Sequence, residues 1–264
     1  MAKQLSTTTK LKLEDFFPQE LSELQRNYYK NLVKSSGLLH AVQKIIFEEW
    51  APNVQQSVLQ NCLEGKGDAD KFTSLLYYNL NVEDHLNYTR NHIENVKTAY
   101  HCFNNVMSKH IKESVGVKRE EEDATEDQIN RHDESKFSLF ECVTYAAKCF
   151  KKEKELEVSE RYWQYGCHHH YVHNQHHPEY FEQGMSMPWR FLTEAIYDMA
   201  AMQLDKTYDN VLPTPCYKLL YIPDEFLTRF QRTGQYEVVK DVLSKTINYM
   251  KQNPKSDIID GTMV

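Results

Sequence analysis

The chain of 264 residues has no apolar run approaching the ~18 that a membrane-spanning helix needs, and its start, MAKQLSTTTKLKL, lacks an apolar core of signal-peptide length. No membrane partner is expected, and the expected location is cytoplasmic. A basic excess is missing too. The formal net charge of −7 argues against holding a nucleic-acid duplex through its phosphates. Any phosphate ligand must then be met by local cations or by metal. The six cysteines, Cys62, Cys102, Cys142, Cys149, Cys167 and Cys216, form no CxxC pair and no disulfide-framework spacing. They are expected to be reduced, with Cys167 a partly buried structural thiol rather than a zinc ligand or nucleophile.

What the chain has is histidine, concentrated between Ser159 and Phe181 in SERYWQYGCHHHYVHNQHHPEYF. That stretch holds six of the twelve: His168, His169, His170, His173, His176 and His177. Folding does not ask for this density, since imidazole is a mediocre helix former and is costly to bury unpaired. In a helix, spacings of three and four put His170, His173, Asn174 and His177 within about one third of the circumference. Such a stripe can close on a metal ion; the alternative is a solvated histidine face. Around it stand His92, the run Arg131-His132-Asp133-Glu134-Ser135-Lys136, and Asp198 in the apolar context EAIYDMA. Imidazole with carboxylate is a ligand set for Mn, Fe, Zn or Mg. Adjacent His132 and Asp133 cannot share one face of a regular helix. Both reach one metal only where the backbone turns or where the carboxylate bridges two ions.

The elements that carry these residues are expected to be helices throughout. Apolar positions from Glu20 to Trp50 recur at three or four with a break at Ser35-Ser36-Gly37; Pro52 opens a helix through Leu63; Gly65 to Asp68 is a turn. A helix from Val82 to Lys112 places His92 on its apolar face and His101 opposite. Gly116 to Asn130 reads as an exposed acidic loop, more an insertion than a lid. Ser138-x-x-Glu141 is a capping box for a helix running to about Phe150. Lys148 to Glu157 is a charged turn, the histidine helix is ended by Pro178, and Pro188 opens a helix to Gln203 with Asp198 facing inward. Helices at Pro223 to Arg232 and Gln235 to Met250 are assigned to packing.

The motifs HDESKFSLFECVTYAAKCF, HHHYVHNQHHPEYFEQGM and AIYDMAAM, over about residues 85 to 205, resemble the HD-domain superfamily of metal-dependent phosphohydrolases, and most closely a small group of HD-like phage and bacterial proteins. The resemblance implies an all-α fold: a single HD-like helical bundle at 81–210, containing an acidic loop at 116–131, with an N-terminal helical extension at 1–80 and C-terminal helices and tail at 211–264. It implies one or two divalent ions, whether Mn, Fe, Zn, Co or Mg. One is expected on His92, His132, Asp133 and Asp198, and a second on His170 and His177 with Asp133 bridging. His176 and His169 are the alternates to His177 and His170, with His173 on the same stripe. Asn174 and Glu179 are candidates to orient a ligand, Lys136 to meet a phosphate, and Glu134 to act as general base.

Three functions follow as expectations. The first is hydrolysis of a nucleotide or another small phosphate ester. The second is a di-iron oxygenase like myo-inositol oxygenase, which uses the same ligand order. The third is a noncatalytic metal-binding scaffold. The N-terminal helices offer a surface for a homodimer, and Thr262-Met263-Val264 a weak PDZ-type ligand.

Overall fold

A computed structural model describes residues 12–17, 21–115, 123–150, 160–206, 212–213 and 215–254. Among the described residues every regular element is helical and none is a strand, so the all-α expectation holds. Local chemistry sets most boundaries. α1 (Glu23–Ser36) begins at Ser22, whose hydroxyl and backbone trade hydrogen bonds with Gln25. It ends at Gly37, where φ is +88° and an L side chain would be strained. α2 (Leu38–Lys44) loosens into a wider turn over Ile45–Glu49, and α3 (Pro52–Leu63) opens with proline at its first position. Asp70 caps α4 (Lys71–Ser74) by accepting from Phe72 and Thr73. Then come α5 (Val82–Val115), α6 (Glu126–Asn130), α7 (Leu139–Cys149), α8 (Glu160–His173), α9 (Trp189–Leu204), α10 (Asp224–Leu227) and α11 (Tyr236–Gln252).

The chain divides into two compact units, Met1–Asn87 with Lys136–His169, and Tyr88–Ser135 with His170–Val264. These lines differ from the three consecutive segments expected, because apolar faces distant in sequence find each other. In the first unit Leu139, Val143 and Ala146 of α7 join Leu39, Ile45, Ile46, Leu76 and Leu86 in one core. Two polar contacts tie its buried side chains: Tyr29 donates to Glu49 at 2.6 Å and the Gln43 amide nitrogen to the Thr144 hydroxyl at 2.8 Å. In the second unit Val96, Phe103 and Met107 of α5, Leu192 and Ile196 of α9, and Val239 and Met250 of α11 form the core. Each such aliphatic side chain contributes roughly 1.5–3 kcal/mol by leaving water. The C-terminal helix is therefore part of this unit's core.

The expected acidic loop is corrected where it is described. Residues 126–130 are helical, Thr125 caps them by accepting from Gln128, and Ile129 is fully buried, which anchors the segment that delivers His132. The rest of that loop, 116–122, most of the charged turn (151–157) and Thr262-Met263-Val264 lie outside the described residues. None of the six cysteines is in a disulfide. No helix among the described residues is long and apolar enough to cross a membrane.

Candidate metal centre

The centre of the second unit is built at the end of α6. After Arg131 the backbone turns, and Asp133 sits at φ +56°, a left-handed conformation that costs a non-glycine residue roughly 1–2 kcal/mol. This turn swings two adjacent side chains into one place. His132 is fully buried, and its Nε2 comes 3.5 Å from Asp133 Oδ2. α5 brings His92 and α9 brings Asp198: His92 Nε2 is 3.0 Å from Asp198 Oδ1 and 3.9 Å from Asp133 Oδ2, and His132 Nε2 is 3.8 Å from Asp198 Oδ1.

The other oxygen of the same carboxylate looks away from this group. Asp133 Oδ1 is 3.3 Å from His170 Nε2 and 3.4 Å from His176 Nε2, and His177 Nε2 lies 2.8 Å from His170 Nε2. Ligand atoms on one metal at about 2.1 Å are about 3.0–3.4 Å apart, so these spacings are near those of a coordination shell. His92, His132 and Asp198 form one buried group able to hold an ion, and Asp133, His170, His176 and His177 another. The buried Nε2 atoms of His132 and His176 have no hydrogen-bond partner. A buried nitrogen in that state is costly, and a bound cation removes the cost. The donor set and these orphaned atoms fit a divalent ion.

The outer nitrogens are held by carboxylates. His132 Nδ1 is 2.9 Å from Glu194 Oε1, His176 Nδ1 is 3.3 Å from the same oxygen, and the Gln128 amide donates to the other oxygen of Glu194. His92 Nδ1 meets Asp205 at 2.8 Å, while Asn95 and Tyr88 donate to Asp205 at 2.6 and 3.0 Å. An N–H given to a carboxylate fixes the tautomer and leaves Nε2 as a lone pair facing inward. Charge follows the same plan. Burial alone would raise the Glu194 carboxyl, but His176 and His132 bring it down to about 2. Burial is likewise overcome at Asp198, where His92, His132 and His176 hold the carboxyl below its ordinary range. At His176 burial disfavours the cation, yet Glu194, Asp133 and Asp198 outweigh it and raise the pKa.

Beside the centre opens a cavity of about 770 Å³ whose lining includes Asp133, His176, Arg190, Phe191, Tyr180 and Val172. That volume suits a small molecule. A family model matches residues 81–252, a segment holding every group just described, and its description is a family of unknown function (DUF5662). The chain belongs to that family. No curated protein and no solved structure matches it.

Within the segment shared with DUF5662, His92, His132, Asp133, His170, His176, His177 and Asp198 are brought together. The helical stripe is not what assembles them. α8 ends at His173, where the Asn174 side chain donates to the His170 carbonyl at 2.7 Å, and Pro178 biases His177 to its extended φ −88°, ψ 128°. His176 and His177 therefore arrive from the turn after the helix, while His173 is exposed and lines the cavity. His169 lies in the first unit against Glu141 at 2.5 Å, outside the cluster. Asn174 also donates to Ser135 at 2.6 Å beneath His170, and Glu179 holds Arg229. Glu134 is exposed and paired with Arg131 at 2.9 Å; the Lys136 ammonium sits 5.8 Å over the Tyr145 ring in the first unit. The sequence reading missed Glu194, Asp205 and Arg229. Glu194 had a local signal, a carboxylate one helical turn before Asp198 in an apolar helix; Arg229, in a segment assigned to packing, had none.

Proposed function

We propose that the chain is a metal-dependent phosphohydrolase of the HD type that acts on a nucleotide or another small phosphate ester. The observation that carries this reading is Asp133, whose two carboxylate oxygens face separate imidazole pairs, His92 with His132 and His170 with His176. Asp198 completes the first group. Two divalent ions held by these residues would supply polarisation of a phosphoryl oxygen and a water acidic enough to attack near neutral pH. The chain's own residues do the rest. Burial of the ligand imidazoles excludes bulk water and strengthens every charge interaction inside. Arg190 lies 4.6 Å over the Phe191 ring, has no ion-pair partner among the described residues, and lines the cavity with Asp133, so it is placed to hold the ester's anionic oxygens. Phe191, Tyr180 and Val172 offer an apolar wall for the organic part.

Elemental analysis of protein purified without added metal or chelator tests this against Asp133→Ala and His92→Ala, with circular dichroism as the check on folding. One or two equivalents of manganese, zinc, cobalt or magnesium in the wild type, lost in both variants, together with oxygen-independent phosphate release from a panel of phosphate esters, is the expected result. The same imidazole and carboxylate donors, with no cysteine sulfur among them, also suit iron. Close to two irons and oxygen uptake would move the reading to a di-iron oxygenase, and bound metal without turnover would leave a scaffold.

A further inference from the structure

The cavity beside the centre carries charges that the metal site does not use. Asp133, His176 and Glu194 belong to the centre. Apart from them, the carboxylates and guanidinium groups of its lining, among the described residues, are Asp127, Arg131, Glu134 and Arg190. All four lie in the second unit, on α6, the segment after it and the first turn of α9. Acid and base balance, so this rim adds no net positive charge to attract a polyanion.

The two cations are in different states. Arg131 donates from Nε at 3.0 Å and from Nη2 at 2.9 Å to one oxygen of Glu134, and Asp127 lies close enough to act on its charge as well. Its positive charge is therefore already matched by neighbours. Arg190 has no ion-pair partner among the described residues and lies over Phe191. The carboxylate of Asp127 is exposed and accepts no hydrogen bond there. The Gln128 amide donates to the Arg190 carbonyl at 3.2 Å, which ties α6 to the first turn of α9 and holds Asp127 and Arg190 on one rim without an ion pair between them. With the centre loaded, Arg190 and the ions can meet one phosphoryl group. A second anion on the same ligand finds no other unpaired cation in the described lining, and it meets Asp127 and Glu134 instead. Two like charges about 4 Å apart weaken binding about fivefold even in water.

We infer that Asp127 and Glu134 set specificity by repulsion, and that the substrate is a monophosphate ester whose organic part is uncharged or cationic. Diphosphates, triphosphates and phosphate esters that carry a carboxylate are excluded by the same two side chains. The inference rests on the phosphohydrolase reading for its phosphoryl group, and on the charges of the lining alone for the discrimination.

Calorimetric titration of the full chain, loaded with zinc, against three phosphonates tests this. Propylphosphonate, aminoethylphosphonate and phosphonopropionate present the same anionic head, resist hydrolysis, and differ in a tail that is apolar, cationic or anionic. The first two should bind, and phosphonopropionate should bind about tenfold more weakly, the effect of two carboxylates partly screened by salt. In D127N that gap should narrow to about twofold, because phosphonopropionate gains affinity while propylphosphonate does not change. E134Q, which also releases Arg131, should narrow it as well. R190Q should weaken all three ligands alike. Equal binding of the three by the wild type, a gap unchanged in D127N, or an R190Q variant that weakens phosphonopropionate alone would overturn the inference while leaving the phosphohydrolase reading in place. Zinc content is measured on the same samples, with circular dichroism as the check on folding. A wild type that takes up no zinc, or that holds zinc and binds none of the three, would overturn that reading and the inference with it.

Discussion

Glu194 shows how one side chain sets the state of several others. Its Oε1 faces the outer nitrogens of His132 and His176, and its Oε2 accepts from the Gln128 amide. Replacing it by glutamine exchanges a carboxylate acceptor for a neutral amide, and outer-shell partners of this kind are worth about 10–100-fold in metal affinity. Competition titration of Glu194→Gln against a chelating dye should show a loss in that range; an unchanged affinity would remove Glu194 from the centre. The same residue makes a pH forecast. Its carboxyl sits at about 2 in the folded chain against an ordinary 4.5, so the stability it contributes is present in full above 4.5 and is lost as pH falls from there toward 2. In urea unfolding at a series of pH values, the stability gap between wild type and Glu194→Gln should close over that window.

At the scale of elements, caps and breakers were legible where their chemistry is local. Gly37 between α1 and α2, Pro52 at the start of α3, and Ser138 accepting from Glu141 at 3.3 Å to start α7 each act within about four residues. The end of α8 was not read, because the bond from Asn174 back to the His170 carbonyl competes with the helix that the histidine spacing suggests. One close approach inside the first unit supports a further test. A Cβ on Gly166 of α8 would lie 2.5 Å from Cγ2 of the fully buried Thr144 on α7. Gly166→Ala should therefore destabilise the chain by about 1–3 kcal/mol despite its gain in helix propensity. Thr144→Ser keeps the hydroxyl that accepts from Gln43 and removes that methyl, so it should recover part of the loss when the two are combined. Chemical denaturation of the two single variants and the double variant measures the coupling, and strict additivity would mean the contact is not what matters.

For the molecule as a whole, the buried carboxylates of Asp133 and Asp198 among imidazoles could hold a metal ion, and a bound ion would tie stability to metal. A ligand that binds only the folded chain adds about 2.7 kcal/mol at a hundredfold excess over its dissociation constant. Stripping with EDTA should lower the melting temperature, and adding back Mn, Zn or Co should restore it; in Asp133→Ala neither step should move the midpoint. A wild-type midpoint indifferent to EDTA in metal-loaded protein would count against the centre.

The residues by themselves determined that the chain is helical, where most helices begin and end, and which side chains could offer donors to a metal ion. These are matters of spacing, caps and donor type, all local. Tertiary structure alone decided the rest. The left-handed turn at Asp133 puts His132 and its neighbour in one site, the turn after α8 rather than its face presents His176 and His177, and the partners Glu194, Asp205 and Arg229 stand 62, 113 and 52 residues from the imidazoles they hold. Contacts across such separations leave no periodicity in the chain. They exist only because the apolar faces of α5, α9 and α11 close on one core and fix the polar edges of those helices within hydrogen-bond reach.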